Sequence, residues 1–165
     1  MKVLSVRKYI RLKGYDYSKA GYYFITICVK NRENILGEVV GDDAHIVPFV
    51  RLSEYGRIVR KHILNISCSY SDVYVDKYIV MPNHIHMILI LQNNSGTMWA
   101  SSPTTARIPS IIRSLKTLVT KECEFSLWQR SYHDHIIRDE AEYQRILKYI
   151  DENPKRWFED VYFMK

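Results

Sequence analysis

Apolar and polar positions alternate between two periods along this chain. Tyr22 to Lys30 (YYFITICVK) is dense in aromatic and β-branched residues, which predicts a strand. A polar turn follows at 31–34. The stretch 35–50, broken by Gly37, Gly41, Asp42, Asp43 and Pro48, predicts a short hairpin or an irregular excursion. Leu52, Tyr55, Val59, His62, Ile63 and Ile66 then recur at helical spacing, with Ser53 placed to cap the helix. Val73 to Val80 (VYVDKYIV) predicts a second strand. Met81-Pro82-Asn83 ends it, because proline cannot continue a central ladder. His84 to Leu91 (HIHMILIL) predicts a third strand, and the polar stretch 92–106 a long loop. Ile108, Ile111, Ile112, Leu115 and Val119 form the stripe of a second helix opened by Pro109. A short strand is predicted at 131–138. A last helix runs from Asp139 to Glu152 and stops before Pro154.

This order predicts an α+β fold of the ferredoxin-like βαββαβ type, an antiparallel sheet with helices on one face and a C-terminal helix beyond it. The 165 residues suit a single domain spanning 1–165, and 47% apolar residues suffice for a core without staples. No apolar run approaches the roughly 20 residues of a membrane helix, and the N-terminus has no apolar leader, so a cytoplasmic protein without membrane contact is expected. Cys28, Cys68 and Cys123 follow no zinc or disulfide spacing and are expected as free thiols. The net charge of +6 favours an anionic partner. Thirteen tyrosines sharpen this, since several interleave with Arg7, Lys8, Arg11, Lys13 and Lys19, the pattern of a single-strand stacking surface or of a basic arm.

Two features carry candidate chemistry. His84 and His86 share one face of their strand, because side chains alternate with period two, while Ile85 turns to the opposite face with Met87, Leu89 and Leu91. Two imidazoles can hold one ion and leave open positions for substrate. For a phosphate substrate that ion is Mg²⁺ or Mn²⁺, the latter better suited to imidazole. A chance pair of strand-end histidines gives the same pattern. His133 and His135 form a second pair, for which a structural or substrate-contact role is favoured over zinc. On the last helix Tyr143, Ile146, Leu147 and Ile150 make the apolar stripe, and Tyr149 falls on its flank with Arg145 and Asn153 one turn away. A flank tyrosine is either a surface residue or a nucleophile.

Four stretches together resemble the single-tyrosine HUH transposases, in particular the REP-associated tyrosine transposases of bacteria. They are RLKGYDYSKAGYYFITICVKNRE, YIVMPNHIHMILI, IIRSLKTLVTK and LWQRSYHDHIIRDEAEYQRILKYIDENPKRW, reaching from about Arg11 to Trp157. The resemblance implies that a sheet strand presents His84 and His86 as metal ligands and that a separate helix presents Tyr149 as nucleophile. Asn153 takes the place of a third, amide-type ligand that is usually glutamine in insertion-sequence relatives. The implied reaction makes a 5′-phosphotyrosine and frees a 3′-OH on single-stranded DNA folded into hairpins. A homodimer exchanging tyrosine helices and a monomer are both implied by different relatives. Arg113, Lys116, Arg130, Arg138 and Arg145 are the basic residues whose positions suggest nucleic-acid contact. Two other functions fit the same residues: a non-catalytic module gripping hairpin DNA or RNA, and a metal-dependent hydrolase that needs no tyrosine.

Overall fold

Side chains of the first apolar block alternate in burial as a strand requires, with Tyr23, Ile25 and Ile27 fully buried on one face of β1, Gly21–Cys28. The computed structural model describes residues 14–41, 47–92 and 107–163. Arg7, Lys8, Tyr9, Arg11 and Lys13, together with Asp42, Asp43 and 93–106, lie outside the described residues. After β1 come β2 (Gly37–Val40), β3 (Phe49–Leu52), α1 (Glu54–Ser69), β4 (Val73–Val80), β5 (His84–Leu91), α2 (Arg107–Cys123), β6 (His133–Ile137) and α3 (Glu140–Glu152). The excursion at 35–50 is a hairpin: β2 and β3 pair antiparallel as a separate two-stranded sheet.

The main sheet has the order β4-β5-β1-β6 with every pairing antiparallel, the ferredoxin-like arrangement. Its first face carries Tyr23, Ile25 and Ile27 of β1 and Ile85, Met87 and Leu89 of β5. These pack against Val59, Ile63 and Ile66 of α1 and Ile111, Leu115 and Val119 of α2 as one core. Ser53 caps α1, its side chain accepting from the Gly56 N–H at 3.1 Å, a contact of the kind that adds about 1 kcal/mol.

The last helix occupies the other face. Ile88 and Ile137 from the sheet and Ile150 from α3 form a second, smaller core, flanked by Phe24, Ile79, Tyr143, Ile146 and Leu147. The helices therefore divide, α1 and α2 on one face and α3 alone on the other. Two contacts to β4 set its position: the Tyr143 hydroxyl donates to Asp76 at 2.6 Å and Lys77 Nζ pairs with Asp151 at 2.6 Å. Adjacent strand residues normally face opposite ways. Here a register shift between Val75 and Lys77 disturbs the ladder and lets both Asp76 and Lys77 reach the same helix.

Candidate active site

His84 and His86 occupy the even positions of β5, so they stand on the α3 face of the sheet. Thr26 of β1 lies directly across from His86 in the register and His133 of β6 directly across from Thr26. Both β5 histidines are buried, at 0% and 1% exposure, and their Nε2 atoms are 3.0 Å apart. Neighbouring groups orient the rings. The Asn83 amide donates from Nδ2 to the carbonyls of Arg32 (3.1 Å) and Tyr162 (2.8 Å), so its Oδ1 must face His84 Nδ1, at 2.9 Å. His84 therefore carries its proton on Nδ1 and keeps a lone pair on Nε2. His86 Nδ1 meets Thr26 Oγ1 at 2.8 Å, a hydroxyl that can accept as well as donate and so permits a free lone pair on this Nε2 too. Burial and the Arg32 guanidinium push His84 down to about 3. Burial and the neighbouring His84 hold His86 well below its ordinary value. Both rings are neutral at neutral pH, the form that binds metals.

Helix α3 brings Tyr149 to this pair. Its Oη lies 3.2 Å from His86 Nε2, and Phe24 packs against both residues, stacked on the His86 ring and edge-on to Tyr149. Tyr149 remains 38% exposed, so its flank position on the helix lets the ring reach the site while one side stays open. Burial, and then the charge of Asp160, push its phenol up to about 12. Asn153 sits at the C-terminal end of α3, buried. Its Nδ2 donates to Asp160 Oδ2 at 3.0 Å, and its Oδ1 has no hydrogen-bond partner among the described residues. Past the short 3₁₀ turn Trp157–Glu159 the chain folds back over the histidines. The Tyr162 ring lies 4.5 Å from the His84 ring, and ligand atoms of His84, His86 and Asp160 all fall within 4.8 Å of one another.

The structure thus gathers His84, His86, Tyr149 and Asn153 in one place. It distributes the basic residues more widely. Arg145 is exposed one turn before Tyr149, and Arg130 and Arg138 are exposed on either side of β6. Arg113 is exposed on α2, the helix that packs on the other face of the sheet. Lys116 is on that helix too. Its ammonium is engaged by the carbonyls of Gln129 (2.7 Å) and Ser131 (2.9 Å), which ties the segment before β6 to α2. His135 Nε2 donates to the Glu142 carboxylate at 2.7 Å, linking β6 to the first turn of α3, and His133 is exposed. Neither belongs to a three-ligand cluster among the described residues.

Three site residues escaped the sequence reading. Asn83 was signalled by its place immediately before the histidine strand. Thr26 and Asp160 had no periodic or motif signal, since only strand pairing and the C-terminal fold-back bring them in.

A family model described as "Transposase IS200 like" matches residues 17–153. An uncharacterized Haemophilus influenzae protein is 36% identical over 174 residues, covering 96% of this chain and 93% of that protein. A second Haemophilus influenzae protein, assigned to the REP-associated tyrosine transposases, is 23% identical over 144 residues, covering 84% of this chain and 73% of that one. Among solved structures, a REP-associated tyrosine transposase bound to a REP hairpin superposes with a TM-score of 0.64 at 21% identity, over 89% of this chain and 73% of that chain, and so shares the fold.

Proposed function

Because this chain belongs to the IS200-like transposases, we propose that it cuts and rejoins single-stranded DNA at hairpin sequences with Tyr149 as nucleophile. The observation that carries this reading is the placement of Tyr149 Oη 3.2 Å from His86 Nε2, with His84 Nε2 3.0 Å beyond. In the proposed step Tyr149 Oη forms a bond to the scissile phosphorus while the bond from phosphorus to the 3′ oxygen breaks. The phenol gives its proton to water, and the 3′ oxygen leaves as a hydroxyl after taking one. The product is a 5′-phosphotyrosine that conserves the phosphodiester energy for rejoining.

The donor set fits a divalent ion. Two neutral imidazoles present Nε2 atoms 3.0 Å apart, and the buried Asn153 Oδ1 has no other partner among the described residues. His84, His86 and Asn153 would hold Mg²⁺ or Mn²⁺, which when bound supplies positive charge to the phosphate oxygens. The rest of the work falls to protein groups. Asn83 and Thr26 orient the rings, Phe24 seats Tyr149 against His86, and Arg145, one turn away, is placed to meet backbone phosphate.

The direct test is a denaturing gel of the protein with labelled hairpin single-stranded DNA and Mn²⁺. A slow covalent band is expected, absent in Tyr149→Phe while binding stays within about twofold of wild type. Tight binding without a band in wild type would favour the non-catalytic hairpin-binding module. Cleavage that survives Tyr149→Phe would favour hydrolysis by water.

A further inference from the structure

Asp160 lies beyond the span 17–153 matched by the family, in the segment that folds back after α3. Its carboxylate is nevertheless held as firmly as the rest of the site. Oδ2 accepts from Asn153 Nδ2 at 3.0 Å and Oδ1 accepts from the Tyr162 N–H at 2.8 Å. The segment itself is pinned on both sides of the histidines. Arg32 Nη1 donates to the Val161 carbonyl at 2.9 Å and its guanidinium lies over the Tyr162 ring, while Trp157 is buried with its ring 6.0 Å from that of His84. Asn83 serves both parts, since the amide that orients His84 also holds the carbonyl of Tyr162.

We propose that Asp160 is the acidic ligand of the metal site, aimed at the histidine pair by Asn153. The proposal rests on the metal-dependent reading above and extends it to a residue outside the family's motif. Three observations carry it. A carboxylate oxygen of Asp160 and the ligand nitrogens of His84 and His86 lie within 4.8 Å of one another. Among the described residues Asp160 makes no salt bridge, so its charge has no side-chain counterion. The Asn153 amide points its nitrogen at Asp160 and leaves its oxygen buried and, among the described residues, unpartnered, the arrangement of a group that orients one ligand while offering another. Two imidazoles with one carboxylate form a set that holds first-row divalent ions and leaves positions open. The carboxylate also supplies the hard, negative oxygen that Mg²⁺ and Mn²⁺ seek and that imidazole lacks.

Asp160→Asn separates a ligand from a turn residue, because the asparagine oxygen can still accept from the Tyr162 N–H. Titration calorimetry of Mn²⁺ into the DNA-free full chain should show binding at least about tenfold weaker in Asp160→Asn, a loss no smaller than that typical when a group that orients a metal ligand is altered. His84→Ala is the reference variant. Binding lost in His84→Ala but unchanged in Asp160→Asn overturns the proposal and leaves the histidine site standing. Binding unchanged in both, or none in wild type, removes the metal reading and the proposal with it. A second measurement depends on gain of signal: Asp160→Cys with Co²⁺ should develop a sulfur-to-cobalt charge-transfer absorption. That band should be missing from wild type, whose Cys28 and Cys123 are buried and whose exposed Cys68 lies on α1, and from the double variant Asp160→Cys, His84→Ala. Metal-bound Asp160→Cys without the band would overturn the assignment.

Discussion

Asn83 joins three parts of the molecule through one amide: the Arg32 carbonyl, the Tyr162 carbonyl and the His84 ring. Its replacement by alanine leaves two carbonyls without donors and frees the ring to turn. Asn83→Ala should therefore lower Mn²⁺ affinity about 10–100-fold, read by calorimetry. It should also cost about 1–3 kcal/mol of stability, read by urea unfolding. Lys116 is the other residue whose role changes once its partners are known. Suggested by its position for DNA contact, it binds backbone carbonyls, and burial lowers its pKa to about 8. Between there and the unfolded value near 10.4 the unfolded chain holds the extra proton, so this group's contribution to stability rises with pH across that window. Measured against Lys116→Met, wild type should gain relative stability from pH 8 to pH 10. A flat difference would mean that Lys116 titrates alike in both states.

At the scale of elements, two devices place the helices. The register shift in β4 turns Asp76 and Lys77 toward α3 and so fixes the height at which Tyr149 meets His86. Helix α1 is seated more tightly still. A Cβ on Gly56 would lie 2.0 Å from the Leu36 carbonyl oxygen, an atom that also accepts from the Ser53 N–H. Gly56→Ala must therefore push the helix start away from the hairpin segment. It should destabilise the fold by about 1–3 kcal/mol in thermal or urea unfolding, despite alanine's better helix propensity. Since α1 packs on the face opposite the histidines, Mn²⁺ affinity in the folded variant should stay near that of wild type.

For the whole molecule, the decisive fact is that one chain holds both the histidines and the tyrosine, 3.2 Å apart. A site assembled within one chain predicts cleavage by a chain's own tyrosine, whereas exchange of the tyrosine helices predicts cleavage across two copies. Mixing Tyr149→Phe with His84→Ala should accordingly give no covalent band on hairpin DNA. A band restored by mixing would show that α3 is traded between copies. Among the described residues no helix is long and apolar enough to cross a membrane. Lys2, Arg7, Lys8, Arg11 and Lys13, with no acidic residue among them, carry most of the net charge of +6, and they lie outside the described residues.

Local patterns in the sequence were sufficient for the elements of the main sheet and its helices, because burial on one face imposes a period that survives in the composition. They were sufficient as well for the side on which His84 and His86 stand, since alternation along a strand leaves no choice. The flank position of Tyr149 was legible for the same reason, while its meaning came from the resemblance of the surrounding motifs. What the sequence could not determine was contact between parts distant along the chain. The placement of α3 on the free face depends on a register shift in β4 that no residue announces. Thr26 reaches His86 only through strand pairing. Asp160 reaches the histidines only because the segment after α3 folds back and is pinned by Arg32, Asn83 and Asn153. Periodicity records which way a side chain faces, whereas a site is completed by the packing that decides what it faces.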